Sequence, residues 1–173
     1  YGISKTETGF LLGTLILGVG IGSVLAGLWS DGKVELGIVP LGAIGIIFSS
    51  LSVWLSGVMF NPDLPTQEQF AYYFGIASLF LLGCSAGLFD VPLESYLQFR
   101  SDVRNRGTVL AGNYFLSYTM IIVSCGFVYL LLTVLQVKPM TVFLIAGLMT
   151  IPVTMYLIYL LPDLTFRFVL WLF

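Results

Sequence analysis

Five times in 173 residues this chain runs through a stretch of about 20 or more residues that carries no charged side chain. The stretches are Gly9–Trp29, Leu36–Phe60, Phe70–Phe89, Thr108–Val137 and Pro139–Leu161. Each is long enough to cross a hydrocarbon core of roughly 30 Å as a helix. Each is also too long and too continuously apolar for a barrel strand, which alternates over about ten residues. Inside lipid the backbone must satisfy its own hydrogen bonds, so helices follow.

Composition points the same way. The chain is 58% hydrophobic and only 9% charged, with a mean hydropathy of +1.00, which leaves too little polar surface to coat a water-soluble globule. The expected fold is an all-α, polytopic membrane bundle over residues 1–162, with spans near 9–30, 36–60, 70–97, 108–137 and 139–161. Residues 163–173 are expected to form an interfacial helix or a linker toward a further domain. The odd span count, the non-methionine start and the apolar end are what a segment of a longer protein would show.

A net charge of −2 offers no basic face, so no nucleic-acid partner is expected. The chain has no histidine, and its two cysteines lie apart in apolar runs. That pattern removes imidazole ligation and general-base chemistry, and fits neither a disulfide framework nor a metal or redox pair. No cofactor, metal or catalytic residue is expected in this segment.

The few charges set topology. With the amino terminus outside, the inner side holds Lys33, Arg100, Arg104, Arg106 and Arg167, against Lys5 and Lys138 outside. Arg100, Arg104 and Arg106 are candidates for anionic headgroups, although the positive-inside bias accounts for them without that role.

Small residues mark where helices can approach closely in lipid. Gly18, Gly22, Ala26 and Ser30 recur every fourth residue, Gly9 and Gly13 repeat the spacing earlier, and Gly83 and Gly87 do so in the third span. A capping box over Thr66–Gln69 is expected to start that third helix. Counting inward from it, Asp90 falls near the inner hydrocarbon boundary and Glu94 one turn further, with Gln98 on the same column. Pro92 between the acids should free the Leu88 carbonyl and kink the helix. Intramembrane acids are costly, so Glu94 and Asp90 are candidates for substrate gating or proton coupling, with one carboxyl's pKa raised if both face a closed cavity. The alternative is interfacial hydration, or pairing of Glu94 with Arg100. Asn113, two turns into the fourth span beside Tyr114 and Tyr118, is a candidate substrate contact, although aromatics at depth are more often packing.

The connector Gly27-Leu28-Trp29-Ser30-Asp31-Gly32-Lys33 carries a Gly-x-x-x-Asp core followed by a basic residue. It resembles the loop motif of the major facilitator superfamily, although Glu35 stands where a glycine is usual and the following basic pair is absent. The resemblance implies that Gly27, Asp31 and Lys33 form a cytoplasmic conformational latch. Without it, the segment is a helix-terminating turn.

Three further segments sharpen the likeness: 32–42, Val91-Pro92-Leu93-Glu94-Ser95-Tyr96-Leu97-Gln98, and Arg106-Gly107 with Ala111-Gly112-Asn113. Together they are similar to the lysophospholipid transporter group of that superfamily, and within it to the transporter part of bacterial proteins fused to a glycerolipid acyltransferase. The resemblance implies helices eight to twelve of a twelve-helix carrier in the bacterial inner membrane. Its implied partners are membrane lipids, an amino-terminal half and a downstream acyltransferase domain. The implied activity is inward movement of lysophospholipid for reacylation. A carrier of a small polar solute or drug, and a non-transporting platform for an attached enzyme, remain open alternatives.

Overall fold

A computed structural model describes residues 5–30, 36–61, 63–65 and 69–160. Five α-helices account for nearly all of them: α1 (Lys5–Trp29), α2 (Ile38–Met59), α3 (Phe70–Arg100), α4 (Arg106–Tyr129) and α5 (Pro139–Leu160). All five contain a segment long and apolar enough to cross a membrane, and no strand occurs among the described residues. The protein is an all-α polytopic membrane protein. The tail at 163–173 lies outside the described residues.

The helices assemble in the spatial order α1, α3, α2, α5. Contacts fix the directions. Gly83 and Gly87 of α3 meet the backbone of α1 around Leu15–Val19 and Val19–Ser23 in turn, so these two helices run parallel. Gly42 lies against Leu88–Phe89 and Gly45 against Ser85, so α2 runs antiparallel to α3. Gly57 meets Met140 and Gly147 meets Ser50, so α5 is antiparallel to α2.

Glycine makes these approaches possible. A Cβ on Gly87 would sit 2.6 Å from both the Ser23 nitrogen and the Val19 oxygen. One on Gly42 would sit 2.7 Å from the Phe89 nitrogen. Neither neighbour can yield, because each is backbone. In lipid no water is displaced when helices meet, so association depends on such close dispersion contact. The small row of α1 is only half used: Gly18, Gly22 and Ala26 are buried, whereas nothing lies within 4 Å of a Cβ on Gly9 or Gly13. The continuous small face expected from the spacing is therefore a packing face only from Gly18 onward.

Serines complete the seams without leaving polar atoms stranded. Ser49 donates its hydroxyl to the Gly45 carbonyl at 2.6 Å, Ser78 to Phe74 and Ser85 to Leu81 at 2.7 Å. A hydroxyl bonded back within its own helix carries little desolvation cost into the interface.

Three boundaries differ from the sequence-based expectation. The third helix continues to Arg100, two turns beyond Pro92, which is fully buried. The fourth span is not one α-helix, since α4 gives way to a π-helical turn at Leu130–Val134. There Leu135 donates to the Leu130 carbonyl at 3.1 Å and Val137 to Leu131 at 3.0 Å, with Gln136 at φ 50°. A non-glycine residue in that left-handed region costs about 1–2 kcal/mol.

The start of α3 also differs. Gln69 stands at the cap position without a side-chain cap bond, not three residues inside the helix as the capping box requires. Its amide bridges the loop instead: the oxygen accepts from the Asn61 N–H at 2.9 Å, and the nitrogen donates to the Asn61 and Leu64 carbonyls at 2.8 and 2.9 Å. Thr66 lies outside the described residues.

Candidate functional site

The acidic column grows out of the tightest seam in the molecule. Asp90 lies seven residues beyond Gly83, and Glu94 seven beyond Gly87. Residues seven apart share a helix face. The face of α3 that packs on α1 through glycine thus continues, toward the α1–α2 connection, as Asp90, Glu94 and Gln98.

Register fixes the level. Val19 and Ser23 flank Gly87 on a parallel helix, so seven residues further on Ala26 and Ser30 lie level with Glu94. Helix α1 stops there, at Trp29, where Ser30 donates its hydroxyl back to the Ala26 carbonyl at 2.7 Å. The fold therefore brings Glu94 to the end of the helix from which the Gly27-x-x-x-Asp31 segment departs. Gly27 itself is exposed, with nothing within 4 Å of a Cβ. Asp31 and Lys33 lie outside the described residues.

On its opposite side this end of α3 is packed. Leu36 and Val39 form a buried pair against Phe89, Leu93, Tyr96 and Leu157. That cluster faces α2 and α5 and leaves the acids turned away from it. Asp90 and Gln98 are exposed and Glu94 is half-buried. Among the described residues no ion pair joins either acid to Arg100, which is exposed at the helix end. The two carboxylates thus lie one turn apart with none of the described guanidinium groups on them.

Asn113 is not brought to the acids. It is half-buried on α4, whose residues include none that is fully buried. Tyr114 and Tyr118 are 45% and 67% exposed. One turn apart, they share a face, while Asn113 lies about 100° from Tyr114 around the helix. The expected grouping of the amide with both rings is therefore divided between two sides of α4. Arg104 and Arg106 are exposed, at the α3–α4 connection and the first residue of α4. With Arg100 they form a basic cluster at the end of the bundle that also carries the acids.

Two features had no counterpart in the sequence reading. One is the π-helical turn after α4. Beside it runs an open groove of about 460 Å3 lined by Ile121, Ser124, Cys125, Val128, Tyr129, Leu132 and Thr133. The other is an apolar cavity of about 200 Å3 at the far end of the bundle, contributed by α1, α2, α3 and α5. Neither has a linear signature, since a π-turn depends on one shifted hydrogen bond and a cavity on four separate segments.

The chain matches no described protein family, no curated protein and no solved structure.

Proposed function

We propose that this chain is part of a carrier that moves lysophospholipid, or a related amphipathic lipid, across the bacterial inner membrane by alternating access. In this reading its amino terminus is outside and its carboxyl terminus cytoplasmic, and the carrier supplies an attached acyltransferase. The observation that carries the reading is the contrast between a glycine-locked α1–α3–α2 body and an α4 with no fully buried residue. Carriers need rigid bodies that rock and a surface that meets substrate or the opposing half. Helix α4 offers such a surface, with phenol hydroxyls, the Asn113 amide and a few serine and threonine hydroxyls among apolar side chains, and a basic cluster at one end. That combination suits a molecule with one charged head and one alkyl tail.

Within this reading Asp90 and Glu94 couple protonation to movement, and the Gly27–Lys33 turn latches one conformation. The complete gene product, reconstituted in proteoliposomes with fluorescent lysophosphatidylethanolamine, should clear the lipid from one leaflet. Glu94→Gln should lower that rate by at least about tenfold, about 1.4 kcal/mol of barrier, and flatten its pH dependence. Lipid flux no faster than in empty vesicles would overturn the carrier reading, and unaltered flux in Glu94→Gln at every pH would remove the acid from the mechanism.

A further inference from the structure

A short turn, residues 101–105, joins α3 to α4 and carries three arginines: Arg100 ends α3, Arg104 lies in the turn and Arg106 begins α4. The turn is held by its own backbone. Ser101 donates its N–H to the Leu97 carbonyl at 3.1 Å, and Asn105 donates to the Asp102 carbonyl at 3.0 Å. The carboxylate of Asp102, the single acid between residues 95 and 160, accepts the Arg104 backbone N–H at 3.4 Å. All three arginines are exposed, and among the described residues none forms an ion pair. Arg104 and Arg106, two residues apart, have Cα atoms within about 7 Å of each other. Arg106 also adds its charge to the positive end of the α4 dipole, with no acidic residue in the first turn to offset it. Like charges gathered this way repel, so the turn gains from an anion.

The neighbouring residues point to the kind of anion. Phe99 is 74% exposed and Val103 81%, so large apolar side chains are interleaved with the arginines on the exposed surface. The charge-free run of the fourth span starts at Thr108, two residues or about 3 Å of rise after Arg106. The turn thus borders the hydrocarbon, where phosphate is the abundant anion and acyl carbon lies just beneath it. We propose that the α3–α4 turn binds the headgroup phosphate of an anionic phospholipid through Arg100, Arg104 and Arg106, with Phe99 and Val103 at the level of its acyl chains. A guanidinium presents a planar fork of N–H donors that matches two phosphate oxygens. A zwitterionic lipid is disfavoured, because its ammonium meets the same three cations. The acids of α3 do not cancel this field, since Glu94 lies six residues, about 9 Å of rise, before Arg100. A positive-inside bias accounts for basic charge at this end but not for exposed apolar side chains among the arginines. The proposal concerns a resident lipid of the membrane and does not rest on the carrier reading.

The test uses the complete gene product in detergent, titrated with phosphatidylglycerol or with phosphatidylcholine of the same acyl chains, and counts bound lipid by native mass spectrometry. Phosphatidylglycerol should bind at least about tenfold more tightly, well within what three basic residues supply. Arg100→Gln, Arg104→Gln and Arg106→Gln together should abolish that preference. Arg104→Gln alone, in the turn and outside both helices, should reduce it several-fold. Lys138→Gln, which removes an exposed cation at the other end of the bundle, should leave it unchanged. Equal affinity for the two lipids in the parent overturns the proposal, as does a preference that persists in the triple variant or falls equally in Lys138→Gln. If the triple variant does not fold, Arg104→Gln decides alone, and an unchanged preference in it overturns the proposal. Displacement of the bound lipid by inorganic phosphate would assign the arginines to a free anion and overturn it as well.

Discussion

Helices α1 and α4 look alike in sequence: both are apolar, charge-poor and glycine-bearing. In the fold they differ sharply. A Cβ on Gly22 of α1 would lie 2.7 Å from the Cys84 carbonyl carbon, whereas one on Gly107, Gly112 or Gly126 of α4 would have nothing within 4 Å. The difference shows that glycine content does not by itself make an interface, and Gly9 and Gly13 of α1, four apart with nothing within 4 Å of a Cβ, show that spacing does not either. Contact needs a complementary groove on a second helix, and α3 supplies one through Gly83 and Gly87.

Substitution should break the symmetry between these helices in a graded way. The largest effect is expected at Gly87, where a valine must displace the α1 backbone on two sides. Gly87→Val should cost about 3 kcal/mol or more, the upper range for overpacking, measured as loss of the folded bundle in a denaturant titration in mixed micelles. A stability matching the parent would show that the α1–α3 seam is not as close as described.

A smaller effect is expected at Gly45, because the obstacle there is the Ser85 side chain. Gly45→Ala should be destabilising alone and largely relieved by Ser85→Gly. A double-mutant cycle should return a coupling of about 1 kcal/mol; strictly additive costs would deny the contact. Next comes Gln69→Ala, which removes three loop hydrogen bonds made by a buried amide. Its expected cost is about 1–2 kcal/mol, accompanied by faster amide exchange at Asn61. Exchange unchanged at Asn61 would show that the loop is held by something else.

The smallest effect is reserved for α4. Gly112→Ala should change stability by no more than about 0.5 kcal/mol, within the usual range for a surface position, and its sign should favour alanine as the better helix former. A loss as large as that at Gly87 would reveal a partner helix packed on α4. The contrast with α1 would then be one of partners present, not of groove shape.

Much of this protein was legible in its sequence. Span number and helical character follow from charge-free runs longer than a bilayer core, because lipid permits no unpaired backbone. Gly18, Gly22, Gly83 and Gly87 were legible as packing residues from a four-residue spacing. The Asp90–Glu94–Gln98 column was legible from the same period. The division of Asn113 from its tyrosines was equally available from helical geometry, but adjacency in sequence suggested a single group.

The pairing of helices was decided only in three dimensions. Nothing in a run of apolar residues states that α1 lies beside α3 instead of α2, because every span is equally at home in lipid. The choice falls to whichever backbones approach most closely. In consequence Glu94 sits level with the end of α1, Gly9 and Gly13 face no helix, and four helices leave a cavity between them. Hydropathy by itself determined that the chain enters the membrane five times. Steric fit between glycine faces, worth fractions of a kcal/mol per atom and large only in sum, decided which helices meet there and what they leave unfilled.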